Sequence, residues 1–195
     1  QIKKNYIFFA IKGNKIDGSR FISSAIYNGA KIIITEKKIN GLKNGILFIQ
    51  SNNIRKLLAE ISFKITNKIP NNIVAVTGTN GKSSIADFYY QILDLNNKKV
   101  ASIGTLGIKS KKFKKDLSNT TIDPIQLSKI LSNLKKQNIN NVIMEASSHG
   151  LSQNRLDGLS FNTGIFTNLS QDHLDYHKNI KNYLKAKLYL FEKLI

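Results

Sequence analysis

From Val74 to Ser83 the chain reads Val-Ala-Val-Thr-Gly-Thr-Asn-Gly-Lys-Ser, an apolar run entering a glycine turn that closes on Gly-Lys-Ser. A buried strand must end near the first glycine and a helix must start near the lysine. The backbone N–H groups between them need an anion or water. Behind the turn, Ile85, Phe88, Tyr89, Ile92 and Leu93 recur at helical spacing, which predicts an amphipathic helix. Turns of this kind cradle phosphates: the amides take the oxygens, Lys82 adds a point charge at the outer phosphates, and Ser83 is placed to hold magnesium. A nucleoside triphosphate is therefore the first ligand to consider. The position five before Gly81 is Val76, and the upstream glycine, Gly78, lies only three before it, so the loop is a short variant. A GTPase reading fails, because the base-reading Asn-Lys-x-Asp is missing downstream. Asn67-Lys68-Ile69-Pro70 lies upstream and lacks the acid.

The 195 residues carry 30 Lys and Arg against 12 Asp and Glu, a formal charge of +18. Such a charge ordinarily points to nucleic acid or an anionic surface. Here lysine is spread along the chain beside abundant Asn and Ile, as in AT-rich coding sequence, and no specific nucleic-acid site is expected. The densest run, Lys109 to Lys115, is expected to be a solvated loop tip. The absence of Cys excludes disulfides and thiolate metal sites and fits a reducing compartment. No apolar run approaches a membrane span. Gln1 opens the chain without Met or a signal-peptide layout and Ile195 ends it inside a helical pattern, so a fragment cut at both ends is expected.

The first part alternates short strands and helices: strand Ile7 to Ile11, helix Phe21 to Tyr27 closed by Gly29, strand Ile32 to Ile34, strand Ile46 to Ile49. A helix follows with Ile54, Leu57, Leu58, Ile61 and Ile65 on one face, and then a polar stretch around Pro70 that predicts a domain boundary at 69/70. Beyond it runs a regular series: strand 73–76, helix 83–94, strand 100–103, helix 124–136, strand 141–144. This predicts an α/β chain with a mostly parallel, helix-covered sheet. Asp123 as N-cap and Pro124 at the first helical position start the 124 helix, with Leu127, Ile130, Leu131 and Leu134 as its buried stripe. Ligands of open α/β sheets collect at the carboxyl ends of strands. Three polar clusters fall there, Gly78 to Ser83, Glu145 to His149 and Asn168 to His177, and are expected to share one cleft.

Glu145 follows the apolar strand Val142-Ile143-Met144, so its carboxylate is expected at the strand tip facing the phosphate loop as a magnesium ligand. The alternative is an ordinary solvated glutamate. Asp172, His173, Asp175 and His177 form a dense ionisable group. Without the glutamate of His-Glu-x-x-His, and beside a phosphate loop, they favour a hard, oxygen-preferring cation over zinc. In the last helix Ile180, Tyr183, Leu184, Leu188 and Phe191 form an apolar stripe, and Lys187 shares its face. Two readings stand for Lys187. Burial disfavours the ammonium, and a neutral amine can take up carbon dioxide as an anionic, metal-binding carbamate; or the side chain snorkels to the surface.

Together these residues resemble the Mur ligase family, and within it the branch that adds the third residue of the peptidoglycan stem peptide. The carriers are Thr77 to Ser83, Asn119-Thr120-Thr121, Met144 to Leu151 with Gln153 and Arg155, Asn168 to His177, and Ala186-Lys187. Gly13 to Gly18 resembles the uridine-nucleotide-binding loop of the family's N-terminal domain. The resemblance implies a small N-terminal UDP-substrate-binding domain over residues 1–69 and a P-loop-type central ligase domain over 70–195, with the family's C-terminal domain absent. It implies that Gly78, Thr79, Asn80, Gly81, Lys82, Ser83 and Ser84 bind ATP. It assigns UDP-N-acetylmuramoyl-L-Ala-D-Glu to Asn119, Thr120, Thr121, Ser147, Gln153 and Arg155, with Asn14, Lys15 and Ile16 at the uridine. Ser83, Glu145, His173 and a carbamylated Lys187 would serve magnesium, and Lys82, His173 and Lys187 the chemistry. The implied reaction is ATP-dependent amide formation with diaminopimelate or lysine, in the cytoplasm, by a monomer; a fragment is expected to be inactive alone. Ile122, where the family commonly has proline, and Ala146, where valine is common, change no polar contact. The alternatives are another ATP-dependent ligase of the Mur or folylpolyglutamate type, a basic nucleic-acid-binding module and a nucleotide-binding pseudo-enzyme.

Overall fold

The computed structural model describes residues 4–13, 16–66, 68–111, 114–117 and 119–195, and the chain divides into two compact units, up to Leu58 and from Ala59 onward. The first unit contains β1 (Ile7–Phe9), α1 (Ile22–Tyr27), β2 (Ile32–Thr35), β3 (Gly41–Lys43), β4 (Ile46–Gln50) and the start of α2 (Ile54–Thr66). Its sheet runs β1-β2-β4-β3, with β1, β2 and β4 parallel and β3 antiparallel on the edge. Ala25, Ala30, Ile33 and Ile46 form its core.

The second unit holds β5 (Asn72–Thr77), α3 (Lys82–Leu95), β6 (Val100–Gly104), β7 (Gly107–Ser110), β8 (Lys114–Lys115), α4 (Pro124–Lys136), β9 (Asn141–Glu145), α5 (Ser148–Ser152), β10 (Thr163–Phe166), α6 (Leu174–His177) and α7 (Ile180–Lys193). The sheet order is β10-β5-β9-β6-β7-β8, parallel from β10 to β6 and antiparallel beyond. Strands buried on both faces are apolar throughout, and β5 shows why. Val74 and Val76 pack with Ala86 and Ile143 on the α3 side. Ile73 and Ala75 join Leu127, Leu131, Leu134, Met144, Leu151 and Leu190 on the other. Ile122 and Ala146 are buried in that second cluster.

The strand register sets the site. Val76 pairs with Glu145, Met144 with Ile103, and Phe166 with Thr77, so the carboxyl ends of four parallel strands finish at one level. The three polar clusters are thereby brought to one edge of the sheet.

Three expectations change. Lys109 to Lys115 is not all loop: β7 and β8 pair antiparallel, Ile108 with Lys115 and Lys109 with Lys114, while Lys112 and Phe113 lie outside the described residues. The α3 helix buries Ala86 and Tyr90, and of the expected stripe Ile85 and Tyr89 pack against the sheet while Phe88 and Ile92 are exposed. The buried face of α7 is Tyr183, Lys187 and Leu190, rotated from the expected stripe, with Ile180 exposed.

Candidate active site

The turn between β5 and α3 is built from backbone conformations that glycine supplies. Gly78 has φ +141° and Gly81, the N-cap of α3, has φ +83°. A Cβ on Gly78 would lie 1.9 Å from Thr167 Oγ1, so strand end and neighbouring loop touch through the missing side chain. No side chain caps α3, which leaves its first-turn amides and the positive end of its dipole for an anion. Lys82 Nζ donates to the carbonyls of Gly78 at 2.9 Å and Thr79 at 2.7 Å. Burial lowers the Lys82 pKa, opposed by the Glu145 and Asp172 carboxylates.

Glu145 is only 3% exposed, which removes the reading of a solvated glutamate. Its Oε1 accepts from Ser83 Oγ at 3.0 Å and from Thr105 N–H at 2.9 Å, and its Oε2 accepts from Thr105 Oγ1 at 3.1 Å. The carboxylate lies against Gly104, where a Cβ would sit 2.2 Å from Oε1. Thr121 Oγ1 donates to the Glu145 carbonyl at 2.9 Å and accepts from Ser147 N–H at 2.9 Å. A cavity of about 260 Å³ is lined by Thr79 to Ser84, Thr105, Thr120, Glu145, Ser147, Ser148, His173, Tyr183 and Lys187.

Lys187 is 1% exposed and does not snorkel. Its Nζ donates to the Gly78 carbonyl at 2.5 Å and lies 4.3 Å from the Tyr183 ring centroid. Two ammonium groups thus share one carbonyl oxygen. Burial, then the charge of Lys82, pull the Lys187 pKa from 10.5 to about 8, with Asp172 acting the other way. The surplus positive charge suits a polyanion. The hydroxyl and carboxylate oxygens of Ser83 and Glu145 suit a hard cation, and uncapped amides beside a glycine cradle suit phosphate. The residues present fit Mg-ATP. Among the described residues no three His, Asp or Glu side chains come together as a ready metal cluster.

His173 lines the cavity from a left-handed backbone conformation, φ +52°. Its ring packs edge-on to His149 at 4.8 Å. His177, buried, pairs with Ser148 Oγ at 3.0 Å, and burial lowers the pKa of both His149 and His177. Arg155 does not line the cavity but is tied to its wall: Nη1 donates to the Thr121 carbonyl, and Nη2 to Gln153 Oε1 at 2.7 Å. Gln153 in turn donates to Tyr176 OH at 3.2 Å. Thr120 Oγ1 is 2.9 Å from Thr105 Oγ1, while Asn119 is exposed. In the first unit Gly13 N–H donates to Ile16 O at 2.9 Å and Asp17 Oδ1 accepts from Ser19 N–H at 2.8 Å, leaving the Ile16 side chain exposed. Asn14 and Lys15 lie outside the described residues.

Sequence reasoning missed Thr105, which holds both oxygens of Glu145. The available signal was Gly104-Thr105 at the end of β6, beside the strand that carries Glu145. It also missed the polar side of Tyr183, whose hydroxyl donates to Thr79 Oγ1 at 3.2 Å.

Comparison with known proteins agrees with this geometry. The family profile described as Mur ligase family, catalytic domain, matches residues 1–76, and that of the Mur ligase middle domain matches residues 76–195. The UDP-N-acetylmuramoyl-L-alanyl-D-glutamate--2,6-diaminopimelate ligase of Wigglesworthia glossinidia brevipalpis is 44% identical over 203 residues, covering 100% of this chain and 41% of its own length. The protein of the same name from Rickettsia prowazekii is 43% identical over 194 residues, covering 97% of this chain and 40% of its own. A solved structure of a UDP-N-acetylmuramoyl-L-alanyl-D-glutamate--2,6-diaminopimelate ligase superposes with TM-score 0.83 at 31% identity, over 98% of this chain and 39% of that one. The MurF ligase of Thermotoga maritima, solved in complex with ADP, shares the fold with TM-score 0.57 at 18% identity, over 97% of this chain and 40% of that one. The chain spans about two fifths of the length of the curated relatives it matches. The middle-domain profile runs through every residue that lines the cavity, and with both profiles matched the chain belongs to the Mur ligase family.

Proposed function

We propose that this chain is the substrate-binding part of an ATP-dependent ligase that joins diaminopimelate to UDP-N-acetylmuramoyl-L-Ala-D-Glu. The observation that carries the reading is the pair of ammonium groups, Lys82 and Lys187, on the Gly78 carbonyl, facing a carboxylate held by Ser83 and Thr105. The choice of diaminopimelate over lysine rests on the names of the relatives above. In this reading residues 1–69 hold the uridine end, with Asn14, Lys15 and Ile16, and residues 70–195 hold ATP and the muramoyl dipeptide. Gly78 to Ser84 take the phosphates. Thr120, Thr121, Ser147, Gln153 and Arg155, with Asn119, orient the peptidyl carboxylate.

ATP would supply a phosphoryl group to the D-glutamyl carboxylate, and the incoming amine would displace phosphate to form the amide. The chain's own work is positioning and charge neutralisation. Lys82 and the first-turn amides of α3 oppose phosphate charge, while Ser83, Glu145 and His173 would hold magnesium, which screens the phosphate oxygens. A carbamate on Lys187 would convert the like-charged lysine pair into an ion pair with Lys82 and add a metal-binding anion, which the lowered pKa favours. Among the described residues no helix is long and apolar enough to cross a membrane; the cytoplasm is proposed from the UDP-linked substrate alone.

Calorimetric titration of Mg-ATP tests the reading at its centre. The chain should bind saturably, and Lys82→Met should weaken binding at least about tenfold, the scale of a lost charge-assisted contact. Equal affinity in the variant would contradict it.

A further inference from the structure

The phosphate loop is held from outside as well as shaped from within. Thr79 N–H donates to the Asn168 carbonyl at 2.9 Å. Asn80 N–H donates to Asn168 Oδ1 at 3.1 Å, and Asn168 Nδ2 donates back to the Asn80 carbonyl at 3.2 Å. One side-chain amide thus meets the N–H and the C=O of a single residue, donor to acceptor on both sides, as paired strands do. Aspartate lacks the donor and leucine lacks both groups. Two residues on, Ser170 N–H donates to Thr79 Oγ1 at 3.0 Å, so the contact is a seam and not a single bond.

Asn168 is exposed, so this pairing contributes little to the core. Its consequence is local. With the N–H groups of Thr79 and Asn80 turned to Asn168, the amides offered to a phosphate are those of Gly81 and the uncapped first turn of α3. The same segment continues to His173, which lines the cavity.

We propose that Asn168 is a positioning residue for nucleotide binding: its side-chain amide clamps the backbone N–H and C=O of Asn80, aims the first-turn amides of α3 at the phosphates, and couples the loop to the segment carrying His173. The proposal rests on the nucleotide reading above, and two independent readouts separate the two. Amide hydrogen exchange at Asn80 and Mg-ATP affinity are measured on the 195-residue chain, on Asn168→Leu and on Asn168→Asp. In Asn168→Leu the Asn80 amide should exchange at least about tenfold faster and ATP affinity should fall about tenfold, with melting temperature nearly unchanged as for other exposed substitutions. Asn168→Asp keeps the acceptor, so it should leave the Asn80 amide protected yet still lose ATP affinity through the missing donor and the added negative charge. That variant decides the matter if the leucine chain misfolds. Unchanged exchange in Asn168→Leu, or unchanged ATP affinity in either folded variant, overturns the clamp. If the parent chain shows the exchange effect but does not bind Mg-ATP, the nucleotide reading has failed, and with it the role proposed for Asn168.

Discussion

Lys187 is a cation in a place that disfavours cations, and its environment sets a measurable pH dependence. Its pKa is about 8 in the folded chain against 10.5 when free, so between these values the unfolded chain holds a proton that the folded chain has released. The stability this group contributes therefore rises from pH 8 to pH 10.5, and the penalty of the buried charge is present in full below pH 8. Unmodified chain and Lys187→Met should differ accordingly in thermal melts. The variant should be the more stable at neutral pH by up to about 3 kcal/mol, with its advantage shrinking steadily above pH 8. An advantage independent of pH would show that the amine is not perturbed. Glu145→Gln keeps the shape of the buried group and removes its charge, so the dependence of ATP binding on magnesium should be lost, as titration with and without the metal would show. Lys82, Ser83, Glu145 and Lys187 were legible in the sequence because each sits at a strand end, a turn or a helical register. Thr105 was not, because its hold on Glu145 depends on a close approach to Gly104 that no spacing along one strand records.

At the scale of elements, the turn between β5 and α3 separates two kinds of glycine. Gly78→Ala would place a Cβ 1.9 Å from Thr167 Oγ1 at φ +141°, whereas the nearest atom to a Cβ at Gly81 is Thr167 Cβ at 4.0 Å. Gly81→Ala should therefore cost only the left-handed backbone strain, about 1–2 kcal/mol. Gly78→Ala should cost distinctly more, because β10 and its following loop must move as well; chemical denaturation of the two variants would rank them. Asp123 caps α4 by accepting from Gln126 N–H at 3.0 Å. Asp123→Ala should lower stability by about 1 kcal/mol while leaving ATP affinity unchanged. The central strands and α4 were legible because burial on both faces, or a clean N-cap, writes itself into a short window of sequence. The β7–β8 hairpin was not: its lysines alternate with few apolar residues. Part of the run also has roles only the fold reveals, as in the 2.7 Å ion pair of Lys109 with Asp87.

For the whole molecule, the charge of +18 is dispersed over two units and does not by itself define a partner. A nucleic-acid module would bind with affinity that falls steeply with salt and ignores ATP. The chain instead gathers the Gly78–Ser83 turn, a buried carboxylate and a buried lysine at the carboxyl ends of the parallel strands of one sheet, where α/β proteins place their ligands. The most direct measurement is calorimetric titration of the chain and of its Arg155→Ala variant with UDP-N-acetylmuramoyl-L-Ala-D-Glu. Saturable binding, weakened about tenfold or more in the variant by loss of a positive charge beside the cavity and of its hold on the Thr121 carbonyl, is the predicted result. No binding by a folded chain, or equal binding by both, would contradict it.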